Sequence, residues 1–169
     1  KIETIIAFNT WLWSNESDPA FKKMRKVIAS PLIPFLYKYF NFSPKFLIPK
    51  AWGTHKRLDK SIHKHYSHPY RNTRERMGAL GFRNALLNEQ DWFDTIWNRR
   101  QNIRQVPALM LWGARDPFIN LSSMERLSSI FQSSQTTSFP DIGHLDPDEA
   151  DEQVLPIIQD FLKKAKYSA

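Results

Sequence analysis

Two polar residues stand where chemistry is possible. Asp116 follows the apolar run VPALMLWG, residues 106–113, just past the end of a predicted buried strand. His144 closes the turn Asp141-Ile142-Gly143-His144 after a second short run, residues 136–139. An acid after one strand and a histidine after the next is the arrangement in which a carboxylate orients an imidazole. One ring nitrogen then donates to Asp116, and the other is left to take a proton from a nucleophile or from water. Gly143 is read as allowing a tight turn and close approach of the ring. Taken singly, Asp116 is a capping acid and His144 a loop residue; the strand context makes them a pair. The chain shows no matching nucleophile.

The elements that must position this pair are legible from apolar patterning. Residues 2–8 (IETIIAF) form a strand-length run of the kind buried on both faces of a parallel sheet. Asp18-Pro19 starts a helix carrying Phe21, Met24, Val27 and Ile28 on one face. Prolines at 31, 34, 44 and 49 then break the chain into short helical pieces, including 32–40 and 44–47. Thr54 is expected to cap a helix to about residue 66, Asn72-Thr73 another to about residue 87, and residues 88–100 form a further amphipathic helix. After these come a strand at 106–111, a helix at 121–131, a strand at 136–139 and a helix at 147–165. The alternation predicts an α/β fold with a doubly wound sheet. The expected organisation is a core strand within residues 1–13, a helical insertion over 14–100, and the remainder of the sheet domain over 101–169. The carboxyl ends of parallel strands share one rim, where Asn9, Asp116 and His144 are expected together.

Charge divides the chain in the same way. The formal net charge is +7, but residues 19–105 hold 18 Lys and Arg against 5 Asp and Glu, whereas residues 106–169 hold 5 against 9. A basic helical surface is first a solvated face, and it is also a surface that attracts anions. The 12 Phe and 6 Trp argue for a packed core rather than disorder. With no cysteine, disulfides, thiolate catalysis and Cys-based zinc sites are excluded, and a cytoplasmic location is the expectation. No signal-peptide pattern and no membrane-length apolar run is present, so neither secretion nor membrane insertion is expected.

The segments LWGARDPF and DIGH resemble the acid and histidine motifs of α/β-hydrolase-fold enzymes, G-x-x-D after an apolar strand and a later G-H. Within that group the chain looks most like the haloalkane dehalogenases. Its AFNTW segment is similar to theirs, and Tyr66-Ser67-His68-Pro69-Tyr70 matches the Y-x-x-P-aromatic segment of their cap. The resemblance implies that residues 14–100 are an inserted helical cap and that the chain is the second half of such an enzyme. About 120 or more residues are then expected upstream, judged from ordinary domain sizes. It assigns the catalytic roles to Asp116 and His144. In one dehalogenase subfamily the acid follows the sixth strand; that position is Asn9 here, an amide that cannot serve, which leaves Asp116. Asn9, Trp11, Trp13, Tyr66 and Tyr70 become candidates for the substrate pocket, with core packing the competing role of each tryptophan.

The nucleophile elbow of the fold, G-x-[S/D]-x-G, has no counterpart here. None of Gly53, Gly78, Gly81, Gly113 and Gly143 brackets a Ser or Asp at that spacing. The resemblance therefore implies that the nucleophile, and the N-terminal half of the fold, lie outside this chain, and that the isolated chain is inactive. The implied substrate is small and apolar: a haloalkane, or an epoxide or ester if the chemistry is that of an epoxide hydrolase or serine esterase. A reading of another class is a non-catalytic partner chain or inactive remnant. No cofactor is implied. His63, His65 and His68 look like a metal cluster, but His63 and His65 diverge by about 200° on a helix and no carboxylate or thiolate joins them, so no metal is expected. Nor is nucleic-acid binding, because no recognition motif accompanies the basic stretch. The acid-rich stretch 148–152 (DEADE) reads as the first turn of the final helix, stabilised by the dipole.

Overall fold

The computed structural model describes residues 2–144 and 146–167; Lys1, Leu145, Ser168 and Ala169 lie outside it. Three strands are present: β1 (Ile5–Phe8), β2 (Ala108–Gly113) and β3 (Ser134–Phe139). The helices are α1 (Pro19–Ile28), α2 (Leu32–Phe40), α3 (Ile48–Ala51), α4 (Lys60–Ser67), α5 (Met77–Asn88), α6 (Gln90–Asn98), α7 (Leu121–Ser128), α8 (Asp146–Glu149) and α9 (Asp151–Tyr167). They divide into two compact units. One comprises Lys1–Trp11, Lys50–Arg57 and Arg99–Ala169, and the other Leu12–Pro49 and Leu58–Asn98.

The first unit carries the sheet, parallel throughout, in the order β1-β2-β3. Ile5 faces Ala108 and Phe8 faces Leu111, while Ala108 faces Ser134 and Gly113 faces Phe139. The central strand is ALMLWG, and every residue of it is buried, as expected for a strand covered on both faces. Its alternate side chains Leu109 and Leu111 pack with Phe139, Ile142, Val154 and Phe161, so α9 lies on this face. Met110 and Trp112 point to the opposite face by the two-residue period of a strand. A fully buried side chain of this size contributes about 1.5–3 kcal/mol, which makes β2 the best-anchored element of the unit. Loops leaving the carboxyl ends of all three strands emerge on one edge of the sheet.

The second unit is helical. Asp18 caps α1 by accepting from the N–H groups of Ala20 (2.7 Å) and Phe21 (3.3 Å), with Pro19 at the first helical position, where no N–H is needed. α2 ends at Asn41, whose φ of 54° is left-handed, a usual helix stop. Ile33, Tyr37 and Leu80 form a small core with Leu36, Phe42 and Ala79 around them. Burial pushes the Tyr37 phenol above its ordinary range. Two arginines hold helix ends. Arg83 Nε donates to Ile28 O (2.8 Å) at the end of α1, and Arg76 Nη1 donates to Lys38 O and Tyr39 O (both 3.0 Å) near the end of α2.

Several boundaries differ from the expectation. The helix expected from Thr54 begins only at α4, capped by Asp59, whose side chain accepts from the Ser61 N–H. The N–H groups of Thr54 and His55 instead tie this stretch to Asp141 O, at 2.7 and 2.9 Å. Residues 14–100 are not all in the helical unit: Lys50–Arg57 belongs to the sheet-bearing unit. The expected 44–47 piece is a π-turn, Ser43–Leu47. The final helix, expected over 147–165, is split into α8 and α9 at a fully buried Ala150.

Candidate active site

Asp116 and His144 meet. His144 Nδ1 lies 2.7 Å from Asp116 Oδ2, and the Asp116 side chain is completely buried while about a third of the His144 side chain is exposed. A carboxylate can only accept, so Nδ1 carries the proton and Nε2 is the ring nitrogen left to act as a base. The second Asp116 oxygen, Oδ1, accepts from the Phe118 N–H at 2.7 Å. Phe118 also sets its ring edge-on to the imidazole, with centroids 5.7 Å apart and planes at 89°.

Three strand ends supply the parts. β1 leads to Asn9, β2 to the loop bearing Asp116, and β3 to the loop bearing His144. Asn9 is buried, with 3% of its surface exposed. Its Nδ2 donates to Asp116 Oδ2 (2.7 Å) and Gly113 O (3.1 Å), and its Oδ1 accepts from the Gly113 N–H (2.8 Å). The structure thus places Asn9 in support of Asp116 and of the Gly113 main chain. The Trp112 indole donates to Ile119 O (3.1 Å) and secures the far side of the acid loop.

The histidine loop is fastened to the acid loop through main chain. Ala114 N–H donates to Phe139 O (2.9 Å) and Arg115 N–H to Ile142 O (2.8 Å). Two close approaches here need glycine. A Cβ on Gly113 would strike Gly143 O of the histidine loop, and one on Gly143 would strike Ala51 O of the 50–57 segment. Neither glycine has a positive φ, so Gly143 is required for clearance between backbones rather than for a left-handed turn.

The remaining sequence candidates are distributed over both units. Trp13 is buried within the helical unit, edge-on to Trp97 at 5.4 Å, and so serves the core there. Tyr66 in α4 and Tyr70 in the following 3₁₀ turn are half-buried in the same unit, and Trp11 is half-buried in the sheet-bearing unit. An open cleft of about 510 Å³ in the helical unit is lined by Ser61, Lys64, His65, His68, Pro69 and Arg71, a basic lining without either tyrosine. His63 turns away from this group, its Nε2 lying 2.7 Å from Pro44 O. Among the described residues, no three His, Asp or Glu side chains converge as a metal site would require, and no helix is long and apolar enough to cross a membrane.

Two contributors had no signal in the sequence reading. Phe118 is one loop residue among several beside an acid. Glu149 sits in the stretch assigned to the acid-rich first turn of the final helix, yet it is fully buried, and it accepts from the N–H groups of Gly53 (2.6 Å) and Gly143 (3.0 Å).

No protein-family profile matches this chain, and no curated protein does. Solved structures do. A loop variant of the haloalkane dehalogenase DbeA from Bradyrhizobium elkanii superimposes with a TM-score of 0.81 at 10% identity, over 98% of this chain and 60% of that one. The deletion mutant of DbjA gives 0.74 at 12% identity, over 96% and 58%. A thermophilic esterase from Thermogutta terrifontis gives 0.60 at 22% identity, over 96% and 56%. The chain therefore carries the α/β-hydrolase fold, and it spans 56–60% of the length of these structures. Within that fold, haloalkane dehalogenases are prominent among its structural neighbours.

Proposed function

We propose that this chain supplies the acid and histidine of a hydrolase of the haloalkane dehalogenase type, with residues 14–49 and 58–98 as its cap and an N-terminal half of the same fold supplying the nucleophile. The observation that carries this reading is the Asp116–His144 bond, held at 2.7 Å by a buried Asn9 on the rim of a parallel sheet. In this mechanism an aspartate carboxylate oxygen attacks the carbon bearing the halogen. The new C–O bond forms as the C–halogen bond breaks, and halide leaves with the electron pair. His144 Nε2 then takes a proton from water as its oxygen attacks the ester carbonyl, with the imidazolium stabilised by Asp116. Collapse of the tetrahedral intermediate expels the alkoxide, which leaves as the alcohol with the proton of the added hydroxyl and restores the carboxylate, while the imidazolium gives its proton to solvent. No cofactor is needed.

A serine esterase is the second reading, favoured by the esterase among the neighbours, because the same pair serves a serine nucleophile equally well. The test is release of halide from 1-bromobutane and of acid from a short-chain ester. It uses the 169-residue chain alone and the protein carrying an N-terminal half. Neither product is expected from the chain alone, and halide is expected from the completed protein. Acid without halide selects the esterase, and turnover by the chain alone refutes the placement of the nucleophile outside it. Accumulation of a covalent alkyl ester in His144→Gln, seen as a mass increase, identifies the carboxylate nucleophile.

A further inference from the structure

We propose that Glu149 is a positioning residue for His144: a buried carboxylate that fixes the backbone immediately before the imidazole and so sets its bond to Asp116. The proposal rests on the acid–histidine reading of the site, but on no particular nucleophile or substrate.

Glu149 is fully buried in the single turn of α8. Both of its oxygens accept from the Gly143 N–H, at 3.1 and 3.0 Å, and Oε2 also accepts from the Gly53 N–H at 2.6 Å. Gly143 is the residue before His144. The neighbouring main-chain groups are fastened as well: His144 N–H donates to Ala51 O at 2.8 Å, and Asp141 O accepts from Thr54 and His55. Residues 51–55 and Glu149 thus hold the loop at Asp141, Gly143 and His144 in turn. None of these fasteners reaches the imidazole, whose own bond goes to Asp116.

The chemistry of the side chain supports positioning over packing. Filling this space requires only an apolar residue, whereas a buried carboxylate is retained at a desolvation cost that its hydrogen bonds must offset. Those bonds are directional and charge-assisted, and they end on the main chain at the histidine loop. A Cβ on Gly53 would strike Asp141 O and come within 2.7 Å of Glu149 Oε2, so the donor beside the carboxylate is itself a residue with no side chain. Release of this loop by a fraction of an ångström lengthens the Nδ1–Oδ2 bond, and misplacement on that scale is what costs catalysis.

The test is the His144 Nδ1–H proton in the intact protein, followed by NMR and assigned by its loss in His144→Gln. In Glu149→Gln an N–H₂ group replaces one acceptor opposite the glycine N–H donors. The signal is expected to exchange with water roughly tenfold faster or more, as follows from loss of a hydrogen bond to a charged group. Where the completed protein turns over substrate, kcat is expected to fall more than KM changes. Val154→Ala, which removes methyl groups from the same core, is the control for lost stability and is expected to leave the signal in place. Should Glu149→Gln not fold, Glu149→Asp, whose shorter carboxylate cannot reach both glycines, decides by the same criterion. An unchanged His144 signal in a folded Glu149 variant overturns the proposal and leaves Glu149 a stability residue. A signal that persists in Asp116→Ala, which has no side-chain acceptor, instead refutes the acid–histidine pair itself.

Discussion

The two units of this chain bury different kinds of polar group: among the described residues the buried carboxylates Asp116 and Glu149 lie in the sheet-bearing unit, whereas the helical unit buries the neutral amides Asn41 and Gln90. In the sheet-bearing unit Asn9, Asp116 and Glu149 are buried, and each is bonded to the loops around Gly113 and Gly143. In the helical unit the lysines and arginines are mostly exposed or half-exposed. The best-engaged of them, Arg76 and Arg83, donate to carbonyls at helix ends. The apolar residues show the same contrast. Every side chain of β2 is buried, whereas Val27, Phe46, Phe82 and Trp92 of the helical unit are more than half exposed. Abundant charge therefore marks a surface here, and buried, hydrogen-bonded carboxylates mark the site.

The largest effect that tests this contrast is on turnover. In the completed protein, His144→Gln or Asp116→Asn is expected to lower kcat by about 10³–10⁴-fold, because the base or its orientation is lost. Substituting Lys64 or Arg71 in the basic cleft is expected to leave kcat within a small factor. Equal losses at both places would end the distinction between the two kinds of charge. The next effect is on stability. Leu109→Ala removes methyl groups from a closed core and is expected to cost about 2–5 kcal/mol. Phe82→Ala, at 72% exposure, is expected to stay within about 0.5 kcal/mol. Denaturant midpoints at constant m-value separate the two.

Glycines sharpen the comparison because the expected sign differs between units. At Gly143 a Cβ meets main chain, Ala51 O and Gly53 N, which cannot rotate away. Gly143→Ala is expected to destabilise by about 1–3 kcal/mol and to disturb the His144 signal. At Gly81, within α5, a Cβ has nothing within 4 Å. Gly81→Ala is expected to stabilise by about 0.5–1 kcal/mol, through helix propensity and a less flexible unfolded chain. Thermal unfolding of the two variants gives the signs directly, and two shifts of the same sign would contradict the clearance argument for Gly143.

What was legible in the sequence is what local chemistry dictates. The Asp18-Pro19 start of α1, the bounds of α2, the three strands and the acid and histidine after β2 and β3 follow from caps, prolines and apolar runs. So does the parallel sheet, since a strand such as ALMLWG is apolar on both faces. The roles of Asn9 and Glu149 were not legible, because their partners lie on other segments and no local period records such a bond. The family resemblance offers Asn9 as pocket lining, and the surrounding acids present Glu149 as helix dipole chemistry. The bonds from Thr54 and His55 to the Asp141 carbonyl are of the same long-range kind.

Acid exposes the smallest difference. Glu152 is held down to about 2 from an ordinary value of 4.5, first by its hydrogen bond to His55, 2.8 Å from Nε2, and further by the nearby Lys56. Asp59, capping α4, is also held below its usual range, by the hydroxyl and N–H of Ser61. Both folded values lie below the unfolded ones. Each group therefore stabilises the fold above its unfolded value and loses that contribution as pH falls through the folded value. For Glu152 the window runs from about 4.5 down to about 2. The two bonds differ in reach, since Asp59 holds a residue two positions on whereas Glu152 ties α9 to the Lys50–Arg57 segment. Glu152→Gln is accordingly expected to flatten the fall of the denaturant midpoint across that window and to raise hydrogen exchange at Thr54 and His55. Asp59→Asn is expected to raise exchange in the first turn of α4 alone. The Glu152 pair is exposed and its effect shrinks with added salt, so the measurement belongs at low ionic strength. Parallel midpoint curves for Glu152→Gln and the parent chain there would show that this tie does not hold the segment.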